Sequence, residues 1–148
     1  MIKHVWSLLC QESVINHDDN SLNINRIIEG INIGVKIQDK KVNEKINLPL
    51  RYEIISSFTR EGSDRREETG SIKVRLLSPK QAELSVKEHP IIMTQGSNTH
   101  RFRIKTTGIP ITEEGVYHFS IKFKNKDDKD YIEVASLPLQ IQIEAVKS

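Results

Sequence analysis

Residues 10–21, CQESVINHDDNS, gather Cys10, Glu12, His17, Asp18 and Asp19 within twelve positions. Those side chains could hold a zinc ion, pair a thiolate with an imidazole, or give calcium hard oxygens. A structural zinc site needs further Cys or His at short spacing, and Cys10 is the chain's single cysteine. Cys10 and His17 stand seven positions apart, up to about 23 Å in extended chain, so a thiol and imidazole on one strand and its turn do not meet. The stretch reads as a polar hairpin turn in which Asp and Asn bond their own backbone. The calcium alternative joins Asp18, Asp19 and Asn20 to Asp127, Asp128 and Asp130. Eight strictly alternating strands would put those two loops at one pole, with oxygens for a cation at about 2.4 Å. Lys124, Lys126, Lys129, Arg65 and Arg66 fall near the same pole and weigh against it. The reading is therefore no metal and no cofactor, with those five aspartates as the calcium candidates.

Other chemistry is thinner. No Gly-x-Ser-x-Gly elbow and no Gly-rich phosphate loop occurs, and the five histidines form no catalytic motif. His118 sits among the polar positions of a strand, where a solvated or cross-strand role is expected. Arg101, Arg103 and Lys105 alternate with Phe102 and Ile104. Single-strand nucleic-acid binding would need aromatics on the basic face, so this is read as a solvated face, of the kind that protects an edge strand.

The elements that must carry these residues are strands. In VYHFSIKF (116–123) Tyr117, Phe119, Ile121 and Phe123 alternate with polar positions, the period of a strand with one buried face. The same period runs through YEIISSF (52–58), SIKVRLL (71–77), HRFRIK (100–105) and LQIQIEA (139–145). Segments 2–15 and 22–33 alternate imperfectly, which suggests bulges or burial on both faces. AELSV (82–86) completes eight candidates. KIQDKKVNEKIN (36–47) fits either a long crossover loop or a short edge strand. Polar turns separate the candidates at 16–21, 61–70, 79–81, 95–98, 108–115 and 125–130. No window has a helical period, so the expected fold is an all-β, antiparallel two-sheet sandwich.

A chain of 148 residues with 36% hydrophobic and 28% charged side chains is the size and composition of one globular domain, spanning 1–148. A net charge of +2, with both signs interspersed, gives no electrostatic footprint for nucleic acid. MIKHVWSLLCQES has no small-residue cleavage site, and no apolar run approaches the roughly 18 residues of a spanning helix. With the lone cysteine, this points to a cytoplasmic protein with no membrane span.

EEGVYHF (113–119) resembles the Gly-x-Tyr-x-Cys corner opening the penultimate strand of immunoglobulin-like domains, with Phe119 in the cysteine's place. With no Cys-Trp-Cys framework, that implies immunoglobulin-like architecture without the disulfide. Over most of its length the chain also resembles a bacterial and phage-associated family of small β-sandwich proteins classed as a domain of unknown function. The resemblance rests on DDNSLNI, IIEGINI, Leu48-Pro49, RLLSP, EEGVYHFSI and SLPLQI. It implies a fold and no catalytic residues. The charged loops at 36–45 and 59–70 look longer than such a domain needs. Together these readings favour a non-enzymatic structural or protein-interaction module, working through loops at one pole or an unpaired edge strand. A protein partner is expected and a homo-oligomer is open. The alternatives are an enzyme or ligand-binding protein whose pocket is assembled from distant residues, with His89, His100 and His118 as its marker, and a calcium-dependent membrane-contact domain.

Overall fold

The computed structural model describes residues 1–36, 46–62 and 65–146, and every regular element among them is a strand. In chain order these are β1 (Ile2–Ile15), β2 (Leu22–Ile27), β3 (Gly30–Lys36), β4 (Ile46–Arg60), β5 (Glu68–Leu77), β6 (Glu83–Met93), β7 (Thr99–Ile111), β8 (Gly115–Asn125) and β9 (Ile132–Val146). They form two sheets, ordered β2-β1-β4-β7 and β3-β9-β8-β5-β6. This is the two-sheet sandwich expected from the alternation. Of segment 36–47, Lys36 ends β3 and Ile46 opens β4, while residues 37–45 lie outside the described residues.

The ninth strand arises because segment 22–33 divides. Arg26 takes a left-handed backbone (φ 54°), β2 ends at Ile27, and the chain crosses from one sheet to the other. The Ile28 amide donates to the Leu9 carbonyl and the Gln140 amide to the Glu29 carbonyl, each at 2.9 Å. The ladder thus passes between the sheets without a break. β3 then runs parallel to β9, from Gly30 opposite Gln140, the one parallel pairing among the described residues, where the others are antiparallel. This also explains Pro138. A proline cannot donate to a ladder, and β9 is bordered by β3 only from Gln140 onward, so Pro138 stands where the strand is locally an edge.

The inner faces meet as the alternation requires. Tyr117, Phe119, Ile121, Ile72, Leu76, Ile54, Phe58, Leu139 and Ile141 are buried in one core, each worth about 1.5–3 kcal/mol relative to exposure. Tyr52 of β4 packs on Phe119 of β8 with centroids 5.5 Å apart, and Phe58 on Phe123 at 5.0 Å. β4 therefore lies across from β8. To one side of that pair β1 approaches β9, and to the other β7 meets β6.

β4 departs from simple alternation, since residues 52–56 are all buried. The cause is the β1–β2 hairpin, whose far half folds back over the outer face of its own sheet. Ser13 Oγ donates to Glu53 Oε2 at 2.5 Å, Arg103 Nη1 donates to Ser13 Oγ at 3.2 Å, and Arg101 Nη1 donates to the Asn20 carbonyl at 2.7 Å. Under this strap Ile55 and Cys10 are 0% exposed and Glu53 4%. Apolar burial and desolvation, followed by the nearby Glu53 charge, push the Cys10 thiol above its ordinary pKa.

Candidate functional site

The two sides of the sandwich are closed differently. On one side the β2–β3 crossing stitches the sheets together. On the other, β7 and β6 end their sheets, and among the described residues neither has a further strand on its outer edge. β7 presents this edge over its full 13 residues. An edge of unpaired backbone N–H and C=O groups is a template for another strand.

One end of the seam between them is shut. The Arg60 side chain, wholly buried at the end of β4, donates to the Thr94 carbonyl at 2.7 Å, the Met93 carbonyl at 3.4 Å and the Arg66 carbonyl, and lies 4.0 Å from Glu68. This guanidinium ties the β6–β7 turn and the β4–β5 loop to the core, and Ile91 and Met93 are buried beside it. The other end is open. Lys87, Glu88, His89, Phe102, Arg103, Ile104 and Lys105 line a groove of about 550 Å³ there. Its contacts across the seam are few: His89 against Phe102, with centroids 5.4 Å apart, and Lys87 Nζ donating to Thr106 Oγ1 at 3.4 Å.

Register sets which side chains face where. β7 pairs Ile104 with Ile54 and Arg103 with Ile55, so Phe102, Ile104 and Thr106 face the other sheet while Arg101, Arg103 and Lys105 share the outer face. The solvated reading of that basic face needs correction. Arg101 and Arg103 are half-buried against the hairpin strap, and Lys105, 67% exposed, lies 3.7 Å from Glu53. β7 is an edge strand of its sheet among the described residues, the setting in which such charges discourage edge-to-edge pairing. The outer face of β6 is charge-neutralised by Lys73–Glu88 at 3.1 Å and Arg75–Glu83 at 3.0 Å, and β6 carries Pro90, which suits an edge but interrupts any ladder.

The calcium candidates divide between two turns. Asp18 and Asp19 are exposed in the β1–β2 turn, which closes with the Asn16 amide donating to the Ser21 carbonyl at 2.9 Å. The Asp18 amide donates to Asn16 Oδ1 and the Ser21 amide to Asp19 Oδ1, each at 2.9 Å, and Asn20 takes φ 58°. These are the side-chain to backbone bonds of a self-shaping turn. Hydrogen bonds from the Ser21 side chain and amide hold the Asp19 carboxyl below its usual range. Asp127, Asp128 and Asp130 lie in the β8–β9 turn, where Asp128 Oδ2 accepts from the Asn125 amide at 2.9 Å and Asn125 exchanges two bonds with the backbone of Ile2. Asp127 and Asp128 border a cleft of about 410 Å³ with Glu67, Glu68 and Lys126, and Asp18 and Asp19 are not part of its lining. Among the described residues no three Asp, Glu, His or Cys side chains group as metal ligands.

The histidines do not converge on one pocket. His89 faces the seam, His100 stands opposite Phe58 on β7, and His118 is opposite Leu77 and Pro138 on the outer face of the five-stranded sheet. Burial lowers the pKa of His100 below its ordinary value.

Sequence reasoning missed Lys87, because the expected strand stopped at Val86 and the alternation beyond it mixes Lys87 and His89 with Ile91 and Met93 on one face. It also missed Ser13 and Glu53, which are 40 positions apart and meet only through the folded strap.

No family model and no curated protein matches the chain. Among solved structures it is similar to the CupB6 tip adhesin from Pseudomonas aeruginosa, at 12% identity and a TM-score of 0.32, over 82% of this chain and 46% of that one. It is also similar to the N-terminal domain of PorA, at 10% identity and a TM-score of 0.29, over 94% of this chain and 98% of that one. The chain spans less than half the length of the adhesin structure. Scores this low carry neither function nor partner across.

Proposed function

We propose that the chain is a non-enzymatic protein-binding module that takes up an extended segment of a partner along the outer edge of β7. The observation that carries this reading is that β7 ends the four-stranded sheet and, among the described residues, has no further strand beside its 13 residues. A strand added to β7 would bring the smaller sheet to five strands, the number in the larger sheet. Main-chain hydrogen bonds would then supply affinity, and the side chains flanking the edge would supply selectivity.

The test is amide hydrogen exchange on the full chain with and without its partner, purified from the native host. The expected result is slowed exchange along residues 99–111, with the 16–21 and 125–130 turns unchanged. Protection confined to those turns would replace this reading with binding through loops.

A further inference from the structure

Resting on the strand-addition reading, we infer that the segment accepted by β7 is one in which acidic and apolar residues alternate. A strand laid beside β7 sets its side chains about 4.5–5.5 Å from the residues directly opposite, successive ones on opposite faces. On the outer face they meet Arg101, Arg103 and Lys105 at alternate positions. Arg101 and Arg103 each commit Nη1 to the hairpin strap, which leaves Nε and Nη2 to donate to a carboxylate. Lys105 is largely exposed and held only by the 3.7 Å approach to Glu53. On the inner face the added side chains meet half-buried Phe102, buried Ile104 and the groove beneath His89. Apolar residues there extend the core, and Lys87 at the groove rim adds a further positive charge.

The same charges argue against a second copy of this chain on the edge. Antiparallel self-pairing centred on residue 103 would set Arg103 against Arg103 and Arg101 against Lys105, and like charges directly opposite are destabilising. β6 shows no comparable preference, because ion pairs cancel its outer charges.

The experiment uses three fluorescein-labelled heptapeptides with blocked termini, alternating Val with Glu, Thr or Lys. Each is titrated against the full chain by fluorescence anisotropy, and amide exchange is followed along β7. The Glu/Val peptide is expected to bind at least about tenfold tighter than Thr/Val, to slow exchange along 99–111, and to lose its advantage at high salt. Lys/Val is expected to bind weakest. Lys105→Gln, a change at an exposed position, is expected to narrow the Glu-over-Thr preference by about threefold or more, and Lys87→Gln provides a second such variant. Equal protection of β7 by all three peptides would overturn the acidic preference and leave strand addition standing. Glu/Val binding that protects another strand, or no binding by any peptide, would also overturn it. In those cases strand addition is judged separately by the exchange pattern of the native partner.

Discussion

Ser13 and Glu53 meet beneath the β1–β2 strap, with Ser13 Oγ 2.5 Å from Glu53 Oε2, and this contact fastens the hairpin to the face it covers. A carboxylate kept from water is costly unless its lone pairs are filled. Ser13→Ala is therefore expected to lower stability by about 1–3 kcal/mol, whereas Val14→Ala, at the next and exposed position, should cost under about 0.5 kcal/mol. Urea denaturation of the two variants checks this. Equal costs would mean that the strap is not held by this bond.

Tyr117 anchors the turn before β8. Its hydroxyl donates to the Glu113 carbonyl at 2.5 Å and accepts from the Thr112 and Glu113 amides, each at 3.0 Å. Gly115 beside it has φ 142°, and a Cβ there would come within 2.8 Å of Pro79. Tyr117→Phe should cost about 1–3 kcal/mol by leaving those amides without their acceptor. Phe119→Ala should cost about 3–5 kcal/mol through the cavity it opens, and Lys122→Ala, on the opposite face, under about 0.5 kcal/mol. Denaturation midpoints at constant slope measure all three.

Acid should weaken the fold. Burial holds His4 and His100 below the ordinary imidazole value of 6.5, with a backbone hydrogen bond at Trp6 offsetting part of the effect on His4. As pH falls, the unfolded chain takes up these protons first. Their contribution is therefore complete above pH 6.5 and is lost as the pH falls through the folded-state values. The melting temperature should drop between about pH 7.5 and about pH 5.5, and His4→Gln with His100→Gln should flatten that drop. An unchanged pH slope would contradict the assignment.

Calcium binding, if any, should be no tighter than millimolar. Asp18 and Asp19 serve their own turn, and Asp127 and Asp128 border a different cleft, so no preformed cage offsets cation dehydration. Isothermal titration should show little heat, and millimolar calcium should leave the melting temperature unchanged. A micromolar isotherm abolished by Asp18→Asn or Asp127→Asn would restore the membrane-contact alternative.

Strands with one wet and one dry face were legible as period two, and 71–77 and 116–123 lie where that period placed them. What was not legible depends on events outside any local window. The change of sheet at Ile28 and Glu29 leaves only a blurred alternation, because residues on either side of it face different cores. The continuation of β6 past Val86 mixes charge and apolarity on one face, since half of that face lines an open groove and the other half is sealed by Arg60. The basic alternation of β7 read as a solvated face, but its contacts with Ser13 and Asn20 needed a hairpin folded back on its own sheet, and no residue type encodes that.

The β3–β9 pairing joins residues 110 positions apart. During synthesis at about 5–20 residues per second, the segment that becomes β3 emerges many seconds before the strand it must lie against. Until then β1, β2, β4 and β7 can order the smaller sheet and β5, β6 and β8 part of the larger one, while the stitched side of the sandwich stays open. Closing that side is a long-range event of the kind that slows folding. Through this interval β3 and β7 both present unpaired borders, and of the two only β7 bears three alternating cations that discourage pairing with its own kind.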